Sequence, residues 1–193
     1  MTEPAFTDDW FSGSAVNGAG AWATHVLPRL RDRPSVLWLE IGSYEGRSAL
    51  WTAANLLIGA KSQLVCVDIW PDKYLNRAGE RVEEVFDRNT RGDKRIVKLR
   101  GKSNQVLPLL RDRSFHGAYV DGSHREANVL EDAREVARLL VPGGVVIFDD
   151  YCKTREKVTE DWGVRTAVDK FLAEMGDRAK VLFADWQLIA VLT

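Results

Sequence analysis

From residue 36 onward, short apolar runs lacking a helical period alternate with amphipathic segments that have one. This restricts the fold more than any other feature of the chain. Residues 36–41 form the first run, which fits a strand buried on both faces, and Gly42 breaks it. Leu50, Ala53, Ala54 and Leu57 then fall on one face of a helix. The pattern repeats with strands expected at 64–69, 96–99, 117–120 and 145–148, and helical segments at 80–88, 104–110, 126–140 and 164–175. In the long segment at 126–140, Val129, Ala133, Val136, Ala137 and Leu140 make the apolar stripe. Ser123 and Glu126 have capping-box spacing at its start, and Pro142-Gly143-Gly144 punctuates its end.

Two last apolar runs, 180–183 and 187–192, are separated only by Ala184-Asp185-Trp186, a connection that permits an antiparallel pair but not a parallel crossover. The expected fold is therefore α/β, a three-layer sandwich around a mostly parallel, Rossmann-like sheet with an antiparallel final strand. Ligands of such sheets bind beyond the carboxyl ends of the strands. A chain of 193 residues buries roughly 70% of its unfolded surface, enough for one substantial core, so a single domain over 1–193 is expected, with 1–35 as an amino-terminal helical or lid segment. Trp10, Phe11 and Trp22, with Trp162, either close over the cleft or pack as an amphipathic helix.

Charge narrows the partners. With 27 Lys+Arg against 28 Asp+Glu the formal net charge is −1, so no field draws the chain to nucleic acid or to an anionic membrane. No apolar run approaches the roughly 20 residues needed to span a bilayer, and the first residues do not read as a secretory signal. Two cysteines, Cys66 and Cys152, cannot make a disulfide framework, and Cys66 lies in an apolar run as a buried thiol. A cytoplasmic enzyme of small molecules is the expectation, with self-association left open. His25 and His116 lie apart from every motif and read as surface or structural.

The first strand-to-helix turn reads Glu40-Ile41-Gly42-Ser43-Tyr44-Glu45-Gly46-Arg47-Ser48. Its glycines allow close approach to the backbone, but their spacing is wrong for the dinucleotide fingerprint, since serine stands where the second glycine should be. Asp68, ending the second strand, can accept hydrogen bonds from both hydroxyls of a ribose, and Glu40 can bind a cationic amine while repelling a pyrophosphate. A ligand with an ammonium group, a ribose and no phosphate fits better than NAD.

In these residues the chain resembles the class I S-adenosylmethionine-dependent methyltransferases, through the turn at 40–46 and through Val67-Asp68-Ile69-Trp70. The resemblance implies that Gly42, Ser43, Tyr44 and Gly46 line the methionine moiety, with Glu40 and Ser48 completing that turn. It implies that Asp68 binds the ribose, that Ile69 and Trp70 lie near the adenosine, and that Ser103 lies near the adenine.

Asp121 ends the fourth strand and Asp149-Asp150 end the fifth, its expected neighbour. Adjacent strands lie about 4.8 Å apart. At 4 Å and an effective dielectric of about 20, each like-charged pair repels by about 4 kcal/mol. A shared proton, a Lys or Arg, the cofactor's ammonium or a metal cation must offset this. Oxygen ligation without a Cys or His cluster suits Mg²⁺ or another hard divalent cation rather than structural zinc. The pattern Asp121-Gly122-Ser123-His124, then Gly143-Gly144 and Asp149-Asp150-Tyr151, resembles the metal-dependent macrocin and mycinamicin O-methyltransferase branch. That likeness implies metal ligation by Asp121, Asp149 and Asp150 and a basic role for His124. Two alternatives stay open: a metal-free methyltransferase in which Asp121 binds only cofactor and His124 acts alone, and a module that binds S-adenosylmethionine without catalysis. A dehydrogenase on a similar sheet is more distant.

Overall fold

The computed structural model describes residues 3–9, 11–12, 18–151 and 163–193. Trp10, Cys152 and Trp162, which carry expectations from the sequence, lie outside the described residues. Two short helices, α1 (Gly18–His25) and α2 (Leu27–Leu30), precede the first strand. The alternation then runs β1 (Leu37–Ile41), α3 (Arg47–Asn55), β2 (Gln63–Asp68), α4 (Val82–Thr90), β3 (Ile96–Arg100), α5 (Ser103–Val106) and β4 (Phe115–Val120). It closes with α6 (Glu126–Leu139), β5 (Leu140–Phe148), α7 (Val164–Met175), β6 (Ala179–Ala184) and β7 (Leu188–Leu192).

The seven strands form one sheet in the order β3-β2-β1-β4-β5-β7-β6. All pairs from β3 to β5 are parallel, and β7 runs antiparallel to both β5 and β6. The chain thus steps outward from β1 through β2 to β3, then returns to β4 on the other side of β1. That reversal opens a crevice beyond the carboxyl ends of β1 and β4, where ligands of such sheets bind.

Side chains alternate across the pleat and build two cores. Leu39, Ile41, Ala118, Val120, Val146 and Phe148 face α6 and α7, meeting Val129, Ala133, Val136, Ala167, Val168 and Phe171. Trp38, Cys66, Tyr119, Val145, Ile147 and Ile189 face the other layer, with Trp22 of α1, Ala49 and Ala53 of α3, and Phe86 of α4. Phe11 and Trp22 belong to this second core, with ring centroids 5.0 Å apart in an edge-to-face contact, rather than to a cover over the cleft.

Three local expectations are corrected. The buried stripe of α3 is Ala49, Thr52 and Ala53, continued by Leu56, whereas Ala54 is exposed and Leu50 only half-buried. Counting Thr52 as polar rotated the assumed face. Ser123 does not cap α6: the residue before that helix is Arg125, in extended conformation, with no side-chain cap. The Ser123 hydroxyl instead accepts the Arg125 N–H at 3.3 Å and the Asn128 amide at 3.0 Å. The start of α7 pins this stretch open, because the Gly163 N–H donates to the His124 carbonyl at 2.7 Å. Finally, Pro142-Gly143-Gly144 lies within β5, in a register shift opposite Phe115 and Gly117, rather than between helix and strand.

Candidate active site

Each chemically interesting residue of the sequence stands at or just past a strand's carboxyl end. Gly42 shows why the turn after β1 reads as it does. Its φ is +85°, and a Cβ there would lie 2.0 Å from the carbonyl oxygen of Asp121. The turn after β1 and the turn after β4 are therefore packed backbone to backbone, tied also by the Asp121 N–H donating to Ile41 O at 2.8 Å. Gly46, at φ +87°, precedes the first residue of α3 and packs on Phe86 and Thr90.

The Asp68 carboxylate accepts the N–H groups of Ser43 and Tyr44 at 2.9 and 3.0 Å on one oxygen and that of Trp70 at 3.0 Å on the other. Three donors fix its orientation, and of roughly four lone-pair sites one stays available for a ligand. Trp70 is buried, donates its indole N–H to the Tyr44 carbonyl at 3.0 Å, and stacks obliquely on Phe86. Among the described residues, three of the four non-glycine residues with positive φ, Tyr44, Trp70 and Asp150, sit around this crevice. Such backbone strain concentrates where the surrounding structure holds a functional geometry.

These ends enclose a cavity of about 1000 Å³. That is the upper end of the range of about 300–1,000 Å³ for small-molecule sites. Of the residues expected to hold cofactor, Gly42, Tyr44, Asp68, Ile69, Ser103, Asp121 and His124 line it. Glu40, Ser43, Gly46, Ser48 and Trp70 are not in its wall. Glu40 is fully buried on the α3 side of β1, its two carboxylate oxygens have no hydrogen-bond partner among the described residues, and burial pushes its pKa up to about 8. Sequence reading missed Pro71, Tyr74, Lys102, Asn104, Asn128, Glu131 and Trp186 in the wall. Most belong to loops or helix faces with no motif of their own, although Asn128 and Glu131 follow His124 at helical spacing.

Asp121, Asp149 and Asp150 do converge. The Tyr119 hydroxyl lies between two of them, 2.9 Å from Asp121 Oδ2 and in closer contact with Asp149 Oδ2. A phenol has one proton to give, so the second contact needs a proton on a carboxyl. Both acids have raised pKa values, first by removal from water; the charges of Asp149 and Asp150 push Asp121 further, well above its ordinary value, and that of Asp150 pushes Asp149 up. Among the described residues no lysine or arginine pairs with the three; His124 Nε2 lies 3.0 Å from Asp150 Oδ2. This hydrogen bond to Asp150 raises the His124 pKa, against the opposing effect of burial.

One ligand atom from each of Asp121, His124 and Asp150 lies within 4.8 Å of the others, a group with the spacing to hold a cation. Asp149 is outside that group, turned instead toward Tyr119 and toward the Gln187 amide, which donates to it at 3.1 Å. Two carboxylates and an imidazole suit a hard to borderline divalent ion. His116 and His25 are structural: the first accepts the Leu37 N–H at 3.0 Å and the second stacks on Phe183.

A family profile described as a methyltransferase domain matches residues 39–151, more than half of the chain. The chain belongs to that family. It is a class I S-adenosylmethionine-dependent methyltransferase, and its turn after β1, its acid after β2 and its acids after β4 and β5 occupy the matched span. A protein of Mycobacterium sp. (strain JLS), provisionally described as an O-methyltransferase, is 27% identical over 184 residues, covering 94% of this chain and 74% of that one. Among solved structures, an O-methyltransferase of Bacillus cereus in complex with S-adenosylhomocysteine superposes with a TM-score of 0.66 at 16% identity, covering 93% of this chain and 84% of the other. The O-methyltransferase TomG of Streptomyces achromogenes, with S-adenosylmethionine, gives 0.65 at 22% identity over 93% and 82%. These likenesses establish the methyltransferase fold. No helix among the described residues is long and apolar enough to cross a membrane.

Proposed function

We propose that this methyltransferase transfers a methyl group to a hydroxyl oxygen of a small molecule, a sugar or another natural product, with the help of a hard divalent cation such as Mg²⁺, in the cytoplasm. The observation that carries this reading is the crowding of Asp121, Asp149 and Asp150 without a lysine or arginine partner among the described residues. The named relatives, one of 27% identity provisionally described as an O-methyltransferase and TomG, which is involved in tomaymycin synthesis, support the oxygen acceptor.

Asp121 and Asp150 would hold the cation, with Asp149 beside them and His124 within reach. Bound there, S-adenosylmethionine supplies an electrophilic methyl group and the cation supplies Lewis acidity toward an acceptor oxygen. Asp68, with one acceptor site left, would take a ribose hydroxyl, Gly42 and Tyr44 would border the methionine end, and Ile69 and Ser103 the nucleoside. His124 is the base: its imidazole stands at the mouth of the acid cluster, with Nε2 3.0 Å from Asp150 Oδ2, where it would take the acceptor's proton.

Stripping the protein with EDTA and titrating Mg²⁺ back, while following methyl transfer to a panel of sugar and phenol acceptors, tests the reading. Activity is expected to vanish and return with Mg²⁺, and His124→Ala is expected to lower kcat by about 100-fold or more. Indifference to EDTA favours the second reading, a metal-free enzyme in which the His124–Asp150 pair, 3.0 Å apart, acts as the base alone. Binding of S-adenosylmethionine with no transfer to any acceptor favours a non-catalytic module.

A further inference from the structure

Behind the acids runs a buried hydrogen-bond chain that the methyl-transfer scheme does not use. Gln187, just before β7, is fully buried. Its Oε1 accepts two N–H groups of α1, the Gly18 backbone at 3.1 Å and the Trp22 indole at 3.0 Å. Neither group can act as an acceptor, so the atom that meets them must be the amide oxygen. The NH₂ group is thereby turned the opposite way, and it donates to Asp149 Oδ2 at 3.1 Å. The same oxygen receives the Tyr119 hydroxyl, while Asp149 Oδ1 accepts the Asp150 N–H at 2.7 Å.

Trp22 is itself immobilised: its side chain is fully buried, and its ring stands edge-on to Tyr119 with centroids 4.7 Å apart. The chain of contacts therefore runs from α1 through Gln187 to Asp149 and Tyr119, and through Tyr119 to Asp121. A rotated amide would set the Gln187 oxygen against the Asp149 carboxylate, acceptor against acceptor. The two α1 donors forbid that arrangement.

We infer that Gln187, oriented by Trp22, is a positioning residue that holds the Asp149 carboxylate against Tyr119 and so sets how Asp121 and Asp150 face the cleft. The inference rests on the cation-assisted reading for its clearest readout. Partners that orient a metal's ligands typically change affinity by about 10–100-fold when removed. Neither Gln187 nor Trp22 lines the cavity, so cofactor binding is a built-in control.

The test uses Mn²⁺ as the probe, counted by electron paramagnetic resonance with saturating S-adenosylhomocysteine, on the full chain and on Gln187→Met and Trp22→Phe. Methionine keeps the volume and loses the donor, and phenylalanine keeps a ring and loses the indole N–H. Both variants are expected to bind Mn²⁺ about tenfold or more weakly, with S-adenosylhomocysteine affinity by calorimetry within about twofold of the original. Unchanged Mn²⁺ affinity overturns the inference, and so does an equal fall in both affinities, which marks a role in folding only. If the original chain binds no Mn²⁺, the cation reading falls, and a crystal structure of Trp22→Phe with S-adenosylhomocysteine decides. An Asp149 carboxylate still engaged by Tyr119 and the Gln187 NH₂ overturns the inference, and a rotated amide or carboxylate upholds it.

Discussion

Glu40 illustrates how a single side chain departs from its motif. The sequence places an acid two residues before the turn glycine, beside a ligand's cationic end. The strand's two-residue period turns it with Trp38 into the α3 layer, where burial governs its proton. An acid of ordinary pKa 4.5 that titrates at about 8 in the folded chain binds its proton more tightly there than when unfolded. Its contribution to stability is therefore complete below the unfolded value and is lost as pH climbs from about 4.5 through 8. Glu40→Gln, neutral at every pH, is expected to flatten this loss. Thermal melts from pH 5 to 9 should show the original chain losing on the order of a few kcal/mol more than the variant, at about 1.4 kcal/mol per pKa unit. Parallel pH profiles for the two proteins would contradict the assignment. Asp121, Asp149, Asp150 and His124 were legible because polar residues directly after apolar strands have nowhere else to go. Their division, with His124 in the cation-spaced group and Asp149 turned to Tyr119 and Gln187, depends on contacts between residues as far as 38 positions apart and left no local trace.

At the scale of elements, the turn between β1 and α3 is held from outside by a stretch of chain that showed no regular pattern. Glu45, almost wholly buried, accepts the Thr7 N–H at 2.8 Å and the Thr7 hydroxyl at 2.7 Å, and the Asn76 amide at 2.8 Å. Asn89 of α4 pairs with both the N–H and the carbonyl of Ala5, at 3.0 and 2.9 Å. Arg47 adds an ion pair to Asp9 at 3.2 Å and lies over the Phe6 ring. Glu45→Ala removes three hydrogen bonds to a charged acceptor and leaves Asn76 short of a partner. A loss of about 2–4 kcal/mol is expected in urea melts, together with faster proteolytic cleavage within residues 3–9. Equal cleavage rates would show that Glu45 does not secure this segment. Such long-range polar contacts are invisible to periodicity, as is the opening of the chain before α6. Strand and helix identities were readable because apolar spacing reports them directly. The buried face of α3 was misread because a threonine that faces the core looks polar in a pattern.

For the molecule as a whole, the alternation and the three-residue connection before β7 were enough to specify a parallel sheet with one reversed strand. Which strands neighbour β1 is set by tertiary packing, and that order creates the crevice between β1 and β4. The crevice makes a ligand prediction for the entire fold. It is bordered by the carboxyl oxygens of Asp68, Asp121, Asp149 and Asp150, acceptors that suit a ligand bearing an ammonium group and offer no donor to a pyrophosphate. The turn after β1 has serine where dinucleotide sites need a second glycine for close approach of phosphate. A ligand that binds only the folded chain stabilises it by about 2.7 kcal/mol at 100 times its Kd. For a chain of this size each kcal/mol moves the melting temperature by about 2–4 °C. S-adenosylhomocysteine at that excess is thus expected to raise the midpoint by roughly 5–10 °C, whereas NAD at the same concentration leaves it in place. The contrast bears on the crevice rather than on general ligand effects, because both molecules carry adenosine, which continues into an amino acid in one and into a pyrophosphate and nicotinamide riboside in the other. A larger shift with NAD would mean that the acids around β1 and β4 are neutralised in a way that admits phosphate, and the methyl-donor site would have to be sought elsewhere on the sheet.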